Sequence, residues 1–392
     1  MPQRTLRSRN GVVAFKLETT AGVDAAPATT DAMLVENLRI TLDQQLVETN
    51  EMTGYLDPRA PIPGGIRGRI EFDTYLKGSG TAGVAPEFGD LFRISGWTET
   101  PVTAEVGAPT TVAAGASTSV TLASPAVAVA QAYRGMPVQL TGNPAAGAIA
   151  FLSDYTAARV GTLVQEFAPA LSGSTFFKIL KNVLYSPTSD PDQIKSGTLD
   201  AYLDGLKYKF LGCGGTFTLR LTAGQAGRIS WSITGMFSAK TDAAVPAVGS
   251  FDATRPPVWR DSDGASGYML ANYQELALRD FSFDNGNNLV YPDNPNAVQG
   301  FDPTVLVSRR LTATLNPLAR LVATANALAD MQAGTARIMH ARLGATAGNR
   351  VAVTLPAAQA TQFQPGDRDG LMTEELTVFC SGEDAGAVIC FF

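Results

Sequence analysis

The residues whose spacing comes nearest to a chemical site are Gly78-Ser-Gly80-Thr-Ala-Gly83, a G-x-G-x-x-G run between a strand-like and a helix-like segment. In a dinucleotide fold such a run brings backbone close to a pyrophosphate at a helix N-terminus, behind a strand buried on both faces. Here the preceding strand carries Arg69, Glu71 and Asp73 along one side, and the next helix is predicted to begin near Pro86, beyond the last glycine. A strand-to-helix connection is therefore expected, not a nucleotide cradle. His340 is the only histidine, so no multi-histidine metal site can form, and no nucleophile is paired with it by spacing. A structural role is expected for it. Asp261-Ser-Asp263-Gly264 and Asp367-Arg-Asp369-Gly370 open like calcium loops, but the glycine comes two positions early and no properly spaced glutamate follows. Both read as turns. Cys213, Cys380 and Cys390 are odd in number and lack metal-site spacing, which predicts small buried residues on strands. No catalytic, cofactor or metal site emerges, and a non-enzymatic chain without cofactors is expected.

The elements that would have to position such residues are short and β-prone. Hydrophobic residues make up 45% of the 392-residue chain and charged residues only 17%, while 38 glycines and 23 prolines are spread between the apolar runs. That composition predicts a folded, turn-rich, mainly β protein of two or three domains. The net charge of −6 has the wrong sign for gripping phosphates, which argues against DNA wrapping. The start MPQRTLRSRNG lacks an apolar signal core, and no later run is long enough to cross a bilayer, so a soluble chain made in a cytoplasm is expected, with no membrane partner.

Alternation of period two runs from Ile66 to Leu76, with Ile66, Gly68, Ile70, Phe72, Thr74 and Leu76 on one face and Arg67, Arg69, Glu71, Asp73 and Tyr75 on the other. An earlier strand around Leu38, Ile40 and Leu42 and a proline-rich stretch from Gly54 to Gly65 make the pair a long hairpin with a large loop. Phe88, Leu91, Phe92 and Trp97 predict one short helix ending near Gly96, and Leu219, Leu221, Ile229 and Trp231 mark further core-facing strands. Residues 106–178 are rich in Ala, Val, Gly, Ser and Thr and read as an inserted small β module. The proline-rich stretch 241–262 reads as a linker. Residues 1–105 and 179–245 then form one domain around the insertion, and 246–392 a second. The order hairpin, helix, closing strands recurs after the linker, which suggests a duplicated domain.

The segments VAFKLETTAGV, YLKGSGTAGVAPEFGDLFRISGW, GTFTLRLTAGQAGRISWSITGMFSAKTDAAVP and GATAGNRVAVTLPAAQ resemble the tail tube (major tail) proteins of long-tailed phages. The matching positions include Lys16, Glu18, Thr19, Gly22 and Val23, then Gly78 to Gly83, and the similarity covers most of the chain outside 106–178. The resemblance implies tail-tube-type β-sandwich/barrel domains with short flanking helices, whose sheets join between subunits into a barrel lining a tube. It implies a structural virion protein, assembled in the host cytoplasm, that polymerises into stacked rings as the conduit for DNA ejection. Its partners would be copies of itself, the tape measure, terminator and distal tail proteins, and DNA passing without specific binding. The candidate lumen-facing residues are Glu71 and Asp73, the candidate ring-stacking loop holds Tyr55, Asp57, Arg59 and Ile62, and the candidate N-terminal arm holds Arg4, Arg7 and Arg9. With two tube domains per chain the ring is a trimer; with one large sandwich it is a hexamer. A β-rich adhesin is the alternative reading, and a hydrolase is disfavoured because no acid/base or nucleophile constellation is present.

Overall fold

A computed structural model describes residues 5–7, 9–248, 251–262 and 266–392. Its strand ladders are all antiparallel among these residues, and two short helices flank them. The first half supplies β1 (Gly11–Leu17), β2 (Glu36–Val47), β3 (Ile62–Tyr75), α1 (Gly89–Ile94), β4 (Trp97–Val102), β5 (Asn182–Pro187), β6 (Gly197–Leu203), β7 (Leu206–Thr222) and β8 (Arg228–Asp242). The second half supplies β9 (Gly267–Ala271), β10 (Leu278–Asp284), β11 (Thr312–Pro317), α2 (Ala327–Ala333), β12 (Ala336–Leu343), β13 (Val351–Arg368), β14 (Leu371–Cys380) and β15 (Val388–Phe391).

One unbroken run of pairings, β2-β3-β8-β7-β10-β11-β14-β13, crosses from one half of the chain to the other. Its strands are half-polar because period-two alternation sends one set of side chains to the core and the other to solvent. On β3 the residues Gly68, Ile70, Phe72 and Thr74 are buried while Arg69 is exposed, as the alternation predicts. Leu219, Leu221, Ile229 and Trp231 are likewise fully buried. The long strands β7 and β13 then serve two layers. The first half of β7 pairs with β6 and through it with β1, and the first half of β13 pairs with β12 on one edge and β15 on the other. Strands β5 and β4, from the first half, extend the layer that holds β15. The two halves share one core, in which Phe92 of α1 lies 4.7 Å from Tyr185, 5.0 Å from Phe217 and 5.1 Å from Trp231, ring centre to ring centre.

The helix α1 starts three residues after Pro86; Phe88 is its N-cap and the Gly89 amide bonds back to the Pro86 carbonyl. Proline therefore shapes the turn that enters the helix, not the first helical turn. In α2 the Asn326 side chain accepts from the Ala329 amide and Gly334 takes the left-handed conformation at the end, a polar cap and a glycine stop in the expected places.

Seven strands between Val106 and Ile179 form a separate sheet with its own apolar centre, including Phe151, Tyr155 and Phe177. That centre is continuous with Leu184, Ala352, Val388 and Phe392, so this layer is seated on β15 and β13. Residues 243–248 and 251–257 have no regular structure; Val258 then bridges to Ala226 and Trp259 is buried.

Candidate functional site

The solvent face of the eight-strand run is lined with hydroxyls, amides and a thin scatter of charge. In register across the sheet, Asp73, Ser230, Thr218, Asp284 and Thr312 form one row. Arg220, Ser282, Thr314, Thr377 and Gln362 form another, which passes from the first half to the second without a break. Glu71 and Asp73 stand on this face, both half-buried. Glu71 is paired with Arg69 at 2.8 Å, and Asp73 accepts from the Asn37 side chain at 2.7 Å. Among the described residues Arg67 pairs with no carboxylate; its guanidinium lies over the rings of Tyr291 and Phe301 at 5.2 and 5.0 Å. The face thus carries nearly balanced charge, part of it tied up in ion pairs screened by solvent.

The run has two strand edges without a partner strand among the described residues. One is the outer edge of β2; the other is the outer edge of β13 beyond Gln359, where pairing with β12 stops. Leu38 and Ile40 on β2 are only half-buried and Leu42 is exposed, while Phe363 on β13 is half-buried on the same, core-facing side of the sheet. The alternation at Leu38, Ile40 and Leu42 was readable in the sequence. The β13 edge was not, because Pro356 and Pro365 punctuate an 18-residue strand that reads as two shorter pieces.

The hairpin tips lie at opposite ends of this sheet. The β2–β3 connection occupies 48–61, so Ile62 to Gly65, expected within the loop, are already strand. Gly65 is required there, since a Cβ would sit 2.0 Å from the Gln299 carbonyl. Tyr55 is 84% exposed and Met52 and Leu56 fully so; Asp57 is exposed, Arg59 pairs with Glu51 at 2.8 Å, and Ile62 faces Val47 across the hairpin. At the other end Asp369 and Gly370, with φ of 56° and 83°, make the two-residue turn between β13 and β14, followed by exposed Leu371 and Met372. The second calcium-like opening is thus a hairpin turn. In the first, Asp263 and Gly264 lie outside the described residues.

Of the arginine arm, Arg4 lies outside the described residues, and the Arg7 and Arg9 side chains are exposed. The Arg7 amide donates to Asp204 at 2.7 Å, which holds the backbone there. Glu18, one of the positions behind the family resemblance, is buried and accepts from the Gly22 and Gly212 amides and the Ser196 and Thr198 hydroxyls, at 2.7–2.9 Å. It pins the turn after β1 onto β6 and β7, a role that sequence spacing alone did not reveal. The three cysteines are buried free thiols on β7, β14 and β15; burial pushes Cys380 up to about 12 and the other two upward as well.

The helix that follows the G-x-G-x-x-G segment begins only at Gly89, beyond its last glycine. The Gly78 amide donates to Asn349 Oδ1 at 3.0 Å and the Gly80 amide to the Gly348 carbonyl at 3.1 Å, so the glycines dock one half on the other. No helix of the described residues is long and apolar enough to cross a membrane.

No curated protein matched the chain in a sequence search. The family model described as phage tail tube protein matches residues 8–378, nearly the whole length. With this coverage, over a chain whose sheet presents a polar face and two strand edges open to pairing, the protein belongs to the phage tail tube protein family.

Proposed function

We propose that this chain closes into a three-chain ring by pairing the free edge of β2 on one copy with the free edge of β13 on the next, and that such rings stack into the tube through which DNA is ejected. The observation that carries this reading is the uninterrupted eight-strand run with an open edge at each end. Because strand direction alternates across an even number of strands, β2 and β13 run oppositely. Rotation about the ring axis preserves direction, so β2 of a neighbour meets β13 in antiparallel sense and the sheet continues unchanged. Closure would satisfy backbone groups that an exposed edge leaves open and would cover Leu38, Ile40, Leu42 and Phe363.

Two tube domains per chain, with 106–178 as an insertion in the first and the linker near 241–262, account for threefold closure with approximate sixfold symmetry. The polar face, with Glu71 and Asp73, then lines the lumen, where the absence of a basic surplus lets DNA slide. The loop with Tyr55, Asp57 and Arg59, together with Ile62 at the strand end beside it, orders against the opposite end of the next ring. The 106–178 layer sits outside, where it cannot obstruct DNA, and the arginine arm contacts a neighbouring subunit. Tape measure, terminator and distal tail proteins complete the assembly in the host cytoplasm. Negative-stain imaging of the purified protein tests this: rings or tubes are expected, and isolated globules at every concentration would contradict it.

A further inference from the structure

The only histidine of the chain, His340, lies in the seam between the 106–179 layer and β12, with no exposed surface. Its ring is 4.5 Å from Phe151 of that layer, and Nδ1 is 2.9 Å from the Thr354 hydroxyl on β13. Nε2 has no hydrogen-bond partner among the described residues. The charged and titratable groups around it offer nothing to a second proton. Arg342, two residues along on the same face of β12, is buried and cationic; Tyr268, across on β9, presents its ring at 5.8 Å. Cys390, on β15, is a buried thiol paired in register with Ala352, and Glu275 follows β9 on an exposed strand. Phe151 and Phe392, 5.3 Å apart, close the remaining side with rings. Elsewhere along the seam the Arg134 guanidinium donates to the Asp384 carbonyl at 2.9 Å and feels the Asp154 and Asp384 carboxylates, and Gln165 bridges to Tyr273.

We propose that His340 is the pin of an acid-released latch, which seats the 106–179 layer on the tube-forming strands while neutral and unseats it when protonated. A cation at Nε2 would stand beside the Arg342 charge in an apolar seam with no carboxylate to compensate. Burial, assisted by Arg342, holds the imidazole down at about 3, against 6.5 in solvent. Between those two values only the opened seam binds the proton. Opening is then unaffected above pH 6.5 and grows about tenfold for each unit below it, roughly 30-fold by pH 5. This inference does not depend on how many chains make a ring.

Hydrogen exchange of the full-length protein at pH 7 and pH 5, corrected for intrinsic amide rates, reads the seam directly. Amides of the strands 149–155 and 175–179 should lose about 30-fold in protection, while β7 and β8 keep theirs. In His340→Gln the loss with pH should vanish. Phe151→Leu, which loosens the same seam but keeps the histidine, should lower protection at both pH values and retain the slope. A single imidazole resonance still at its neutral position at pH 5 would agree. Equal protection of wild type at both pH values, a slope that survives in His340→Gln, or parallel loss in β7 and β8 would each overturn the latch.

Discussion

The amide of Gly78 donates to Oδ1 of Asn349 at 3.0 Å, and through this contact the connection after β3 lies directly on the loop before β13. The two segments that met the eye in the sequence as GSGTAG and GATAGN touch backbone to backbone, because neither has a Cβ at the point of approach. A Cβ on Gly78 would fall 2.1 Å from the Gly348 carbonyl.

Gly78→Ala should therefore force the two halves apart and cost about 1–3 kcal/mol, as overpacking of a tight contact does. Gly173→Ala, where nothing lies within 4 Å, should be close to neutral. Chemical denaturation of both variants measures the difference. Equal midpoints would mean that the Gly78 contact yields without strain.

Lys77 holds the start of that connection to the chain between β8 and β9. Its buried ammonium lies 2.9 Å from Asp252 Oδ2 and 3.3 Å from Glu87 Oε1. Removing it in Lys77→Met leaves two carboxylates facing each other in partial burial and should destabilise by about 3 kcal/mol. A loss under about 1 kcal/mol in a denaturant series would show that the carboxylates rearrange toward water.

Leu42 on the outer edge of β2 is exposed in the single chain, so Leu42→Lys should leave folding intact. If the edge pairs in the ring, a buried ammonium there should raise the concentration needed for assembly at least tenfold. Sedimentation velocity across a dilution series measures this. Unaltered assembly would remove β2 from the interface.

Glu71→Lys with Asp73→Lys reverses charge on the polar face without touching the core. Tubes of the double variant should retain duplex DNA at low salt and release it as salt rises, whereas wild-type tubes should retain none. Indifference of both to DNA would place these residues away from the lumen.

How far the sequence carried can be read from particular elements. The β3 strand, with buried Ile70 and Phe72 against exposed Arg69, was legible because one face meets the core and the other meets water. Leu219, Leu221, Ile229 and Trp231 were legible as core-facing strand residues for the same reason. The joining of the halves into one sheet was not legible, because the pairing of Leu219 with Phe283 is a contact between residues far apart in the chain that leaves no local pattern. Nor was the Glu18 pin, since its hydroxyl and amide donors come from distant strands. What the glycines of the G-x-G-x-x-G run approach became visible only with Gly348 in place.

The central claim is that each chain contributes the whole β2-to-β13 run to a ring of three. The rotational symmetry of tubes imaged by cryo-electron microscopy tests it most directly. Three chains per ring, with β2 of one hydrogen-bonded to β13 of the next, is the predicted result. Six chains per ring, or a ring in which these two edges do not meet, would contradict it.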